Sequence, residues 1–359
     1  MVRKQIPNSE PVPVLSISPP VASRLPWGLI TLVTLSATAM LFIAPMDFAW
    51  THWLVKHNYL LFSNFINRTI FEGSLPGTVD FVLISQVAIA VLFVLAWTRP
   101  QTFHWLQTWR PRLGFMTFYA LIYGVFFVYS TKWIWGRFRP NAVVSKGHPY
   151  SDWFELGPQF IGDGVFRGSF PSGHVAIAFL LMSLAYVLAG TAQTRRQRFL
   201  GWWLGALVVI NSLAVAVGRA MIGSHWLSDC VASIAVGWVL LHLIYHWGLH
   251  VPEQCRYADH NSTAAPRPAL WELHLSVNAF WASLGFWGCG IGLRALAAGR
   301  SIWMVFLIPL WLALMFYGTV RLRRLGLFAP FNSQSASRMA GSSDIRTDTK
   351  QSHRLFQNL

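Results

Sequence analysis

The sequence predicts an all-α protein, a polytopic transmembrane helical bundle. Of its 359 residues, 54% are hydrophobic and only 11% are charged, whereas an ordinary soluble domain carries about 25% charged residues. The chain therefore lacks the polar side chains that would cover a soluble globule of this size. Its 19 Trp and 26 Phe residues are typical of proteins whose aromatic side chains lie at membrane interfaces. Together these counts argue against a soluble enzyme.

Apolar runs define the elements, since a helix needs about 20 apolar residues to cross a bilayer. Residues 1–24 contain five prolines and no apolar run, which predicts a disordered tail and not a signal peptide. Eight runs follow, at about 27–46, 79–97, 113–131, 172–190, 199–217, 229–248, 275–293 and 301–320. We predict a six-helix core within 25–250, two extra C-terminal transmembrane helices within 251–320, and a disordered cytoplasmic tail at 321–359.

The distribution of Lys and Arg predicts the orientation, because short basic loops stay in the cytoplasm. With eight spans and both termini inside, 18 of the 28 basic residues lie on the inner side and 10 on the outer side. Half of the outer ones fall in one loop, 132–170. Such a cluster needs a local reason, and an anionic ligand supplies one. We expect the site to face outward, which for a protein of the bacterial inner membrane means the periplasm.

The first motif in this loop reads Lys132-x6-Arg139-Pro140. On a helix that continues from the third span, Lys132 and Arg139 would lie two turns apart on one face. Pro140 would then end that helix or force a turn.

The second motif, Pro171-Ser172-Gly173-His174, opens the fourth span. Pro-Ser-Gly before a long apolar run predicts a helix start with Ser172 near the N-cap. The N–H groups and the positive dipole end at such a terminus favour an anion. Gly173 would let that anion approach the backbone, and His174 would contact it.

The third motif reads Arg219-x5-His225-x3-Asp229 and leads into the sixth span. On a helix, the carboxylate of Asp229 can accept a hydrogen bond from Nδ1–H of His225. That bond would fix the imidazole tautomer and leave Nε2 free to attack.

A metal site is the competing interpretation of the two histidines and Asp229. The basic residues of the three motifs argue against it, because they repel a divalent cation and suit a phosphate. Cys230, Cys255 and Cys289 show no CxxC spacing and predict neither a zinc site nor a disulfide framework. We therefore expect no metal and no other cofactor.

Together the motifs resemble the three-part signature of the type-2 phosphatidic acid phosphatase superfamily, which includes membrane lipid phosphatases, glucose-6-phosphatase and vanadium haloperoxidases. The resemblance covers residues 27–248 at most. One position departs from it: the third motif of the family usually opens with Ser-Arg, and here it opens with Gly218-Arg219.

The resemblance implies a role for each motif residue. Five would bind the phosphate: Lys132, Arg139, Ser172, Gly173 and Arg219. His225 would be the nucleophile that forms a phosphohistidine, and Asp229 would orient it. His174 would protonate the leaving oxygen and then activate water.

The predicted function is hydrolysis of a lipid phosphate or diphosphate by an integral membrane phosphatase. The substrates we consider are undecaprenyl diphosphate, phosphatidic acid, phosphatidylglycerophosphate and a lipid A phosphate. The same site would serve a phosphotransferase that passes the phosphate to a second lipid. We expect no nucleic-acid partner, because the net charge of +15 is spread between the apolar runs.

Two other functions fit the sequence less well. A transporter places its ionisable groups at mid-membrane, whereas the predicted spans are poor in them and the polar cluster lies at helix ends. A haloperoxidase needs a soluble site, which the apolar spans do not support. The outer segment 141–170 is either a lid over the site or an interfacial loop.

Overall fold

The computed structural model describes residues 25–68, 81–159, 168–260, 271–299 and 303–327. Within these ranges the regular secondary structure is entirely helical, which confirms the predicted fold class. The predicted tail at 1–24 lies outside the described residues. The last helix ends at Arg324, four residues beyond the predicted end of the final span, and the rest of the predicted C-terminal tail after 327 is not described.

The helices are numbered here in chain order. They are α1 (Leu25–Ile43), α2 (Asp47–Lys56), α3 (Leu60–Arg68), α4 (Phe81–Thr98), α5 (Trp105–Tyr119), α6 (Val128–Trp135), α7 (Pro140–Lys146), α8 (Gly173–Phe179), α9 (Met182–Gly190), α10 (Arg195–Met221), α11 (Leu227–Leu243), α12 (Val251–His260), α13 (Trp271–Ala297), α14 (Trp303–Phe306) and α15 (Ile308–Arg324). A π-helical stretch, Ala120–Phe127, joins α5 to α6.

Among the described residues, six stretches are long and apolar enough to cross a membrane. They are Trp27–Lys56, Phe81–Thr98, Trp105–Lys146, Gly173–Gly190, Arg195–Met221 and Leu227–Gly248. Each overlaps one of the first six predicted spans, so the protein is an integral membrane protein with a six-helix core.

The third span starts at Trp105, earlier than the predicted residue 113. The sequence-based prediction treated Arg110 and Arg112 as loop residues because they are charged. In the structure both are buried in α5, and Arg112 forms an ion pair with Asp259 of α12 at 3.1 Å. The charge of Arg112 is thus balanced by Asp259, so the buried arginine is compatible with a helix that begins before it.

The two predicted C-terminal spans correspond to α13 and α15. Neither is among the six stretches above, so their crossing of the membrane stays a prediction. The two helices pack closely through small residues, since a Cβ on Gly285 would collide with the backbone of Met315. Helix α13 also packs on the core, where Trp287 lies 5.2 Å from Trp133 between ring centroids.

Buried aromatic residues hold the third span against α11. Tyr119 and Tyr123 stack with their ring centroids 5.3 Å apart. Their hydroxyls donate to the carbonyls of Gly237 (3.1 Å) and Ser233 (2.7 Å) of α11. These bonds satisfy polar groups that would be costly to leave unpaired in an apolar interior. They also fix the helix that carries Asp229 relative to the helix that carries Lys132.

Candidate active site

Backbone hydrogen bonds bring the three motifs together at one end of the bundle. The N–H of Ser172 donates to the carbonyl of Asp229 (3.2 Å), and the N–H of Asn141 donates to the carbonyl of Gly223 (3.0 Å). The imidazole rings of His174 and His225 lie 6.1 Å apart between centroids. Side chains from the three motifs therefore line one site, as the sequence predicts.

The first motif is not the continuous helix that we predicted. Helix α6 ends at Trp135, and Gly136 follows with φ = 60°, a left-handed conformation that glycine adopts without steric cost. Pro140 does not end a helix; it is the first residue of α7, where its fixed φ favours helix initiation. Arg139 therefore precedes α7 and does not share a helix face with Lys132.

Lys132 and Arg139 still lie close to the second and third motifs. Lys132 is only 8% exposed, and its Nζ donates to the carbonyl of Gly168 at 3.1 Å. Its Cε lies 3.8 Å from the position that a Cβ on Gly173 would occupy, which puts the ammonium beside the start of α8. Arg139 interacts electrostatically with Lys132 and with Asp229.

The second motif forms the predicted helix start. Ser172 is the N-cap residue of α8, with extended backbone angles (φ = −74°, ψ = 110°), and Gly173 is the first helical residue. The Ser172 side chain is fully buried and does not cap the helix.

The third motif spans a turn between two helices. Arg219, only 6% exposed, lies in the last turn of α10, and Gly223 turns the chain with φ = 67°. His225 follows in that turn, and Asp229 lies in the first turn of α11. The two residues are therefore not on one helix, which was the condition for the hydrogen bond considered above.

Gly218, the departure from the family pattern, has a packing reason. A Cβ at this position would lie 2.8 Å from Cγ2 of Ile66 on α3. Real Cβ atoms do not approach other heavy atoms so closely, so a serine here would push α3 away from α10. The close contact of these two helices explains the glycine.

The hydrogen bond of His225 differs from the predicted one. Its Nδ1 lies 2.7 Å from the backbone carbonyl of Ser169 and 3.8 Å from Oδ2 of Asp229. Because a carbonyl oxygen only accepts, Nδ1 carries the proton and Nε2 is the unprotonated nitrogen. The predicted tautomer is thus retained, with Ser169 in place of Asp229 as the acceptor.

Asp229 is fully buried and accepts three other hydrogen bonds. They come from Nη1 of Arg137 (2.7 Å), from the N–H of Trp226 (2.8 Å) and from the hydroxyl of Ser169. Sequence reasoning missed Arg137 and Ser169. A signal for Arg137 was present, since it is one of the five basic residues clustered in the outer loop and lies inside the first motif.

The surroundings of His225 keep its imidazole neutral. Burial and the nearby Lys132 and His174 lower the pKa of His225 and Asp229 opposes them, so that the pKa falls from 6.5 to about 3. The pKa of His225 thus lies far below neutral pH. A neutral imidazole is the form that can act as a nucleophile.

A cavity of about 510 Å³ adjoins the site at Arg139. Its wall combines apolar surface with polar and basic side chains, and it is lined by Phe138, Arg139, Asn141, Ala142, Lys146, His148 and Gln159. The described part of the outer segment 141–170 is attached to the core, because the N–H of Gln159 donates to the carbonyl of Gly136 (3.0 Å) and Tyr150 packs edge-on against Trp226. Residues 160–167, which are part of the predicted lid, lie outside the described residues.

Comparison with known proteins supports the family resemblance. Residues 112–251 match the model of the PAP2 superfamily, and this segment contains all three motifs. Searches of curated proteins and of solved structures gave no significant match. In the described ranges, no group of three or more His, Cys, Asp or Glu side chains is arranged to hold a metal ion.

Proposed function

Because the segment 112–251 belongs to the PAP2 superfamily, we propose that this protein hydrolyses a lipid phosphate or diphosphate through a phosphohistidine. The observation that carries the proposal is the buried His225, whose Nδ1 is bound to the carbonyl of Ser169 and which lies near Lys132, in a site to which the same motifs bring Arg139 and Arg219. We call Lys132, Arg139 and Arg219 the phosphate clamp.

In the first step, the clamp binds the phosphate oxygens and neutralises the charge that develops on them. Nε2 of His225 attacks phosphorus, an N–P bond forms, and the bond from phosphorus to the leaving oxygen breaks. His174 donates a proton to that oxygen. The imidazolium formed on His225 is stabilised by the carbonyl of Ser169 at 2.7 Å and by Asp229 at 3.8 Å.

In the second step, the now neutral His174 removes a proton from a water molecule. The water oxygen attacks phosphorus, the N–P bond breaks, and inorganic phosphate leaves. His225 returns to its neutral form and His174 to its protonated form. No metal takes part in this scheme, because the clamp supplies the positive charge.

The cavity beside Arg139 favours a diphosphate among the lipid substrates. Lys146 and His148 line it together with Arg139, so it suits a second anionic group next to the phosphate that is cleaved. For a polyprenyl diphosphate such as undecaprenyl diphosphate, that group is the phosphate left on the lipid. A monophosphate such as phosphatidic acid would not use the cavity in this way.

A panel of purified lipid phosphates tests the reaction and the substrate together. With EDTA present, we expect phosphate release to be fastest from undecaprenyl diphosphate. Lys146→Ala should lower kcat/KM for the diphosphate by about 5–10-fold, the loss of roughly 1 kcal/mol of charge-assisted binding, and leave that for phosphatidic acid within about twofold. Lys56→Ala, which removes another exposed lysine outside the cavity, is the control.

Three other results of these measurements would contradict or change the proposal. Equal losses on both substrates would contradict the role of Lys146. Labelled phosphate recovered on a second lipid instead of in water would identify a phosphotransferase. Activity that is lost with EDTA and restored by a divalent cation would contradict the metal-free scheme.

We further propose that the site faces the periplasm of a bacterial inner membrane. Arg195, Arg196 and Arg198 at the start of α10 favour a cytoplasmic position for this end of the bundle. Gln193→Cys should therefore resist an impermeant thiol reagent in intact cells, whereas Glu155→Cys, exposed near the site, should react. The three native cysteines are buried and provide the background. The reverse labelling pattern would invert the orientation.

A further inference from the structure

Arg137 is a charged side chain with no exposed surface. Its five N–H donors each meet an acceptor. Nη1 donates to Oδ1 of Asp229 (2.7 Å) and to Oγ of Ser228 (2.7 Å). Nη2 donates to Oδ2 of Asp47 (2.9 Å) and to the hydroxyl of Tyr150 (3.3 Å). Nε donates to the carbonyl of Ser151 (2.8 Å). The guanidinium therefore bridges two carboxylates from different parts of the chain.

Asp47, the second carboxylate, is also fully buried. It is the first residue of α2 and lies outside the segment that matches the family. Its Oδ1 accepts from the N–H of Ser228 at 2.9 Å, and its Oδ2 accepts from the hydroxyl of Ser228 and from Arg137. Asp47 thus binds both Arg137 and Ser228, the residue that precedes Asp229.

The network reaches His225 by two routes. The side chain of Arg137 binds Asp229, and Asp229 accepts from the hydroxyl of Ser169. The backbone carbonyl of Arg137 accepts from the N–H of Ser169 at 2.8 Å. Ser169 in turn provides the carbonyl that binds Nδ1 of His225. Arg137 therefore determines where the acceptor that fixes the His225 tautomer lies.

Stability alone is a weak reason for such a network. Burying three charges carries a desolvation cost that ion pairing often fails to recover. Here the rings of Trp226 and Tyr150 also cover the guanidinium, with centroids 5.3 and 5.5 Å from its Cζ. A water-excluded network next to the reacting histidine strengthens each of its hydrogen bonds. That effect holds the acceptors in place.

From these contacts we infer that Arg137, held by Asp47, is a positioning residue for His225. The inference rests on the proposed function, in which His225 attacks phosphorus. Neither Arg137 nor Asp47 belongs to the phosphate clamp, so both act on the rate of attack and not on phosphate binding.

Arg137→Lys and Asp47→Asn test this role. A lysine ammonium keeps the charge but cannot bridge two carboxylates, and Asp47→Asn keeps the shape but removes the charge that holds Nη2. We expect kcat to fall by about 10–100-fold in either variant, since small misplacements of a reacting group have effects of this size. KM and the inhibition constant of inorganic phosphate should stay within about threefold. The double variant should lose little more than Arg137→Lys alone, because the two residues act as one unit.

A second arginine–aspartate pair, Arg112–Asp259, is the control; its arginine is buried and its aspartate side chain is 22% exposed. Its Nη2–Oδ2 distance is 3.1 Å, and the Arg112 side chain is only 8% exposed. Arg112→Lys and Asp259→Asn should lower the melting temperature and leave kcat per folded molecule unchanged.

Wild-type protein and His225→Ala are measured in the same series. A wild-type protein that is inactive on every phosphorylated substrate would refute the proposed function. With an active wild type, losses of kcat in the Asp47 and Arg137 variants that match those of the Arg112 and Asp259 controls would overturn the positioning role. A clear rise in KM and in the inhibition constant of inorganic phosphate in the Asp47 and Arg137 variants would also overturn it. If Arg137→Lys does not fold, Asp47→Asn, which is isosteric, decides by the same criteria.

Discussion

Replacing His225 with alanine is expected to abolish the covalent phosphoenzyme, whereas replacing His174 is expected to slow release of a lipid alcohol while the phosphoenzyme still forms. The two imidazoles lie 6.1 Å apart, close enough to serve one phosphate from different sides. Nδ1 of His225 is bound to a fixed backbone carbonyl, at 2.7 Å. In the proposed mechanism its Nε2 is therefore the oriented nucleophile, and His174 carries out the proton transfer.

The leaving group separates the two roles. An alcohol leaves poorly without a proton, whereas nitrophenol needs little protonation. For a lipid monophosphate such as phosphatidic acid, whose leaving group is an alcohol, His174→Ala should therefore reduce turnover by about 10²–10⁴-fold, the usual contribution of a positioned acid or base, and it should reduce turnover of nitrophenyl phosphate much less. His225→Ala should remove activity on both substrates, since the covalent step itself is lost.

Trapping of labelled phosphate on quenched protein is the measurement. Label that remains on His225→Ala would contradict the nucleophile assignment. Equal losses on lipid phosphate and nitrophenyl phosphate for His174→Ala would contradict its role as the acid. The pKa of about 3 adds a condition on pH: because it is lowered, the nucleophilic form of His225 is present at neutral pH and is lost only as the pH falls toward that value.

Sequence patterns predicted those parts of the molecule that depend on residues close together in the sequence. The apolar runs give the six core spans because hydrophobic length alone determines whether a helix can cross the bilayer. The helix start at Ser172 follows from residues next to one another in the chain. The helix break at Gly136 could also have been predicted, since a glycine after one helix and a proline at the start of the next form a known pattern. The seven-residue spacing of Lys132 and Arg139 suggested one continuous helix instead.

The contacts that hold Asp229 could not be predicted from neighbouring residues in the sequence. Asp47 binds Ser228 from 181 residues away in the sequence, and Ser169 binds His225 from 56 residues away. Hydrogen bonds at such separations depend on how the helices pack, and a backbone carbonyl such as that of Ser169 has no sequence signature at all. The four-residue spacing of His225 and Asp229 correctly predicted their proximity, but not the serine that hydrogen-bonds to both.

Changing Arg139 or Arg219 to lysine is expected to reduce kcat/KM by about 10²–10³-fold, comparable to the loss of one donor that stabilises transition-state charge. A guanidinium offers two parallel N–H donors to a phosphate, whereas an ammonium is a single point charge on a flexible stem. Arg219 is only 6% exposed, so little water can replace the donor that is lost. Arg256→Lys is the control, because Arg256 is an exposed residue of α12 that pairs with Glu253 at 3.4 Å and is not part of the clamp.

The clamp variants also separate phosphate binding from positioning. Arg139 and Arg219 are proposed to touch the phosphate, so their lysine variants should raise the inhibition constant of inorganic phosphate by about tenfold or more, as the loss of roughly 1.4 kcal/mol of binding requires. Arg137→Lys makes the same chemical change at a residue outside the clamp and should leave that constant nearly unaltered. Near-normal turnover of both clamp variants would mean that their arginines only support the fold. A rise in the inhibition constant for Arg137→Lys equal to theirs would mean that all three arginines form one binding site.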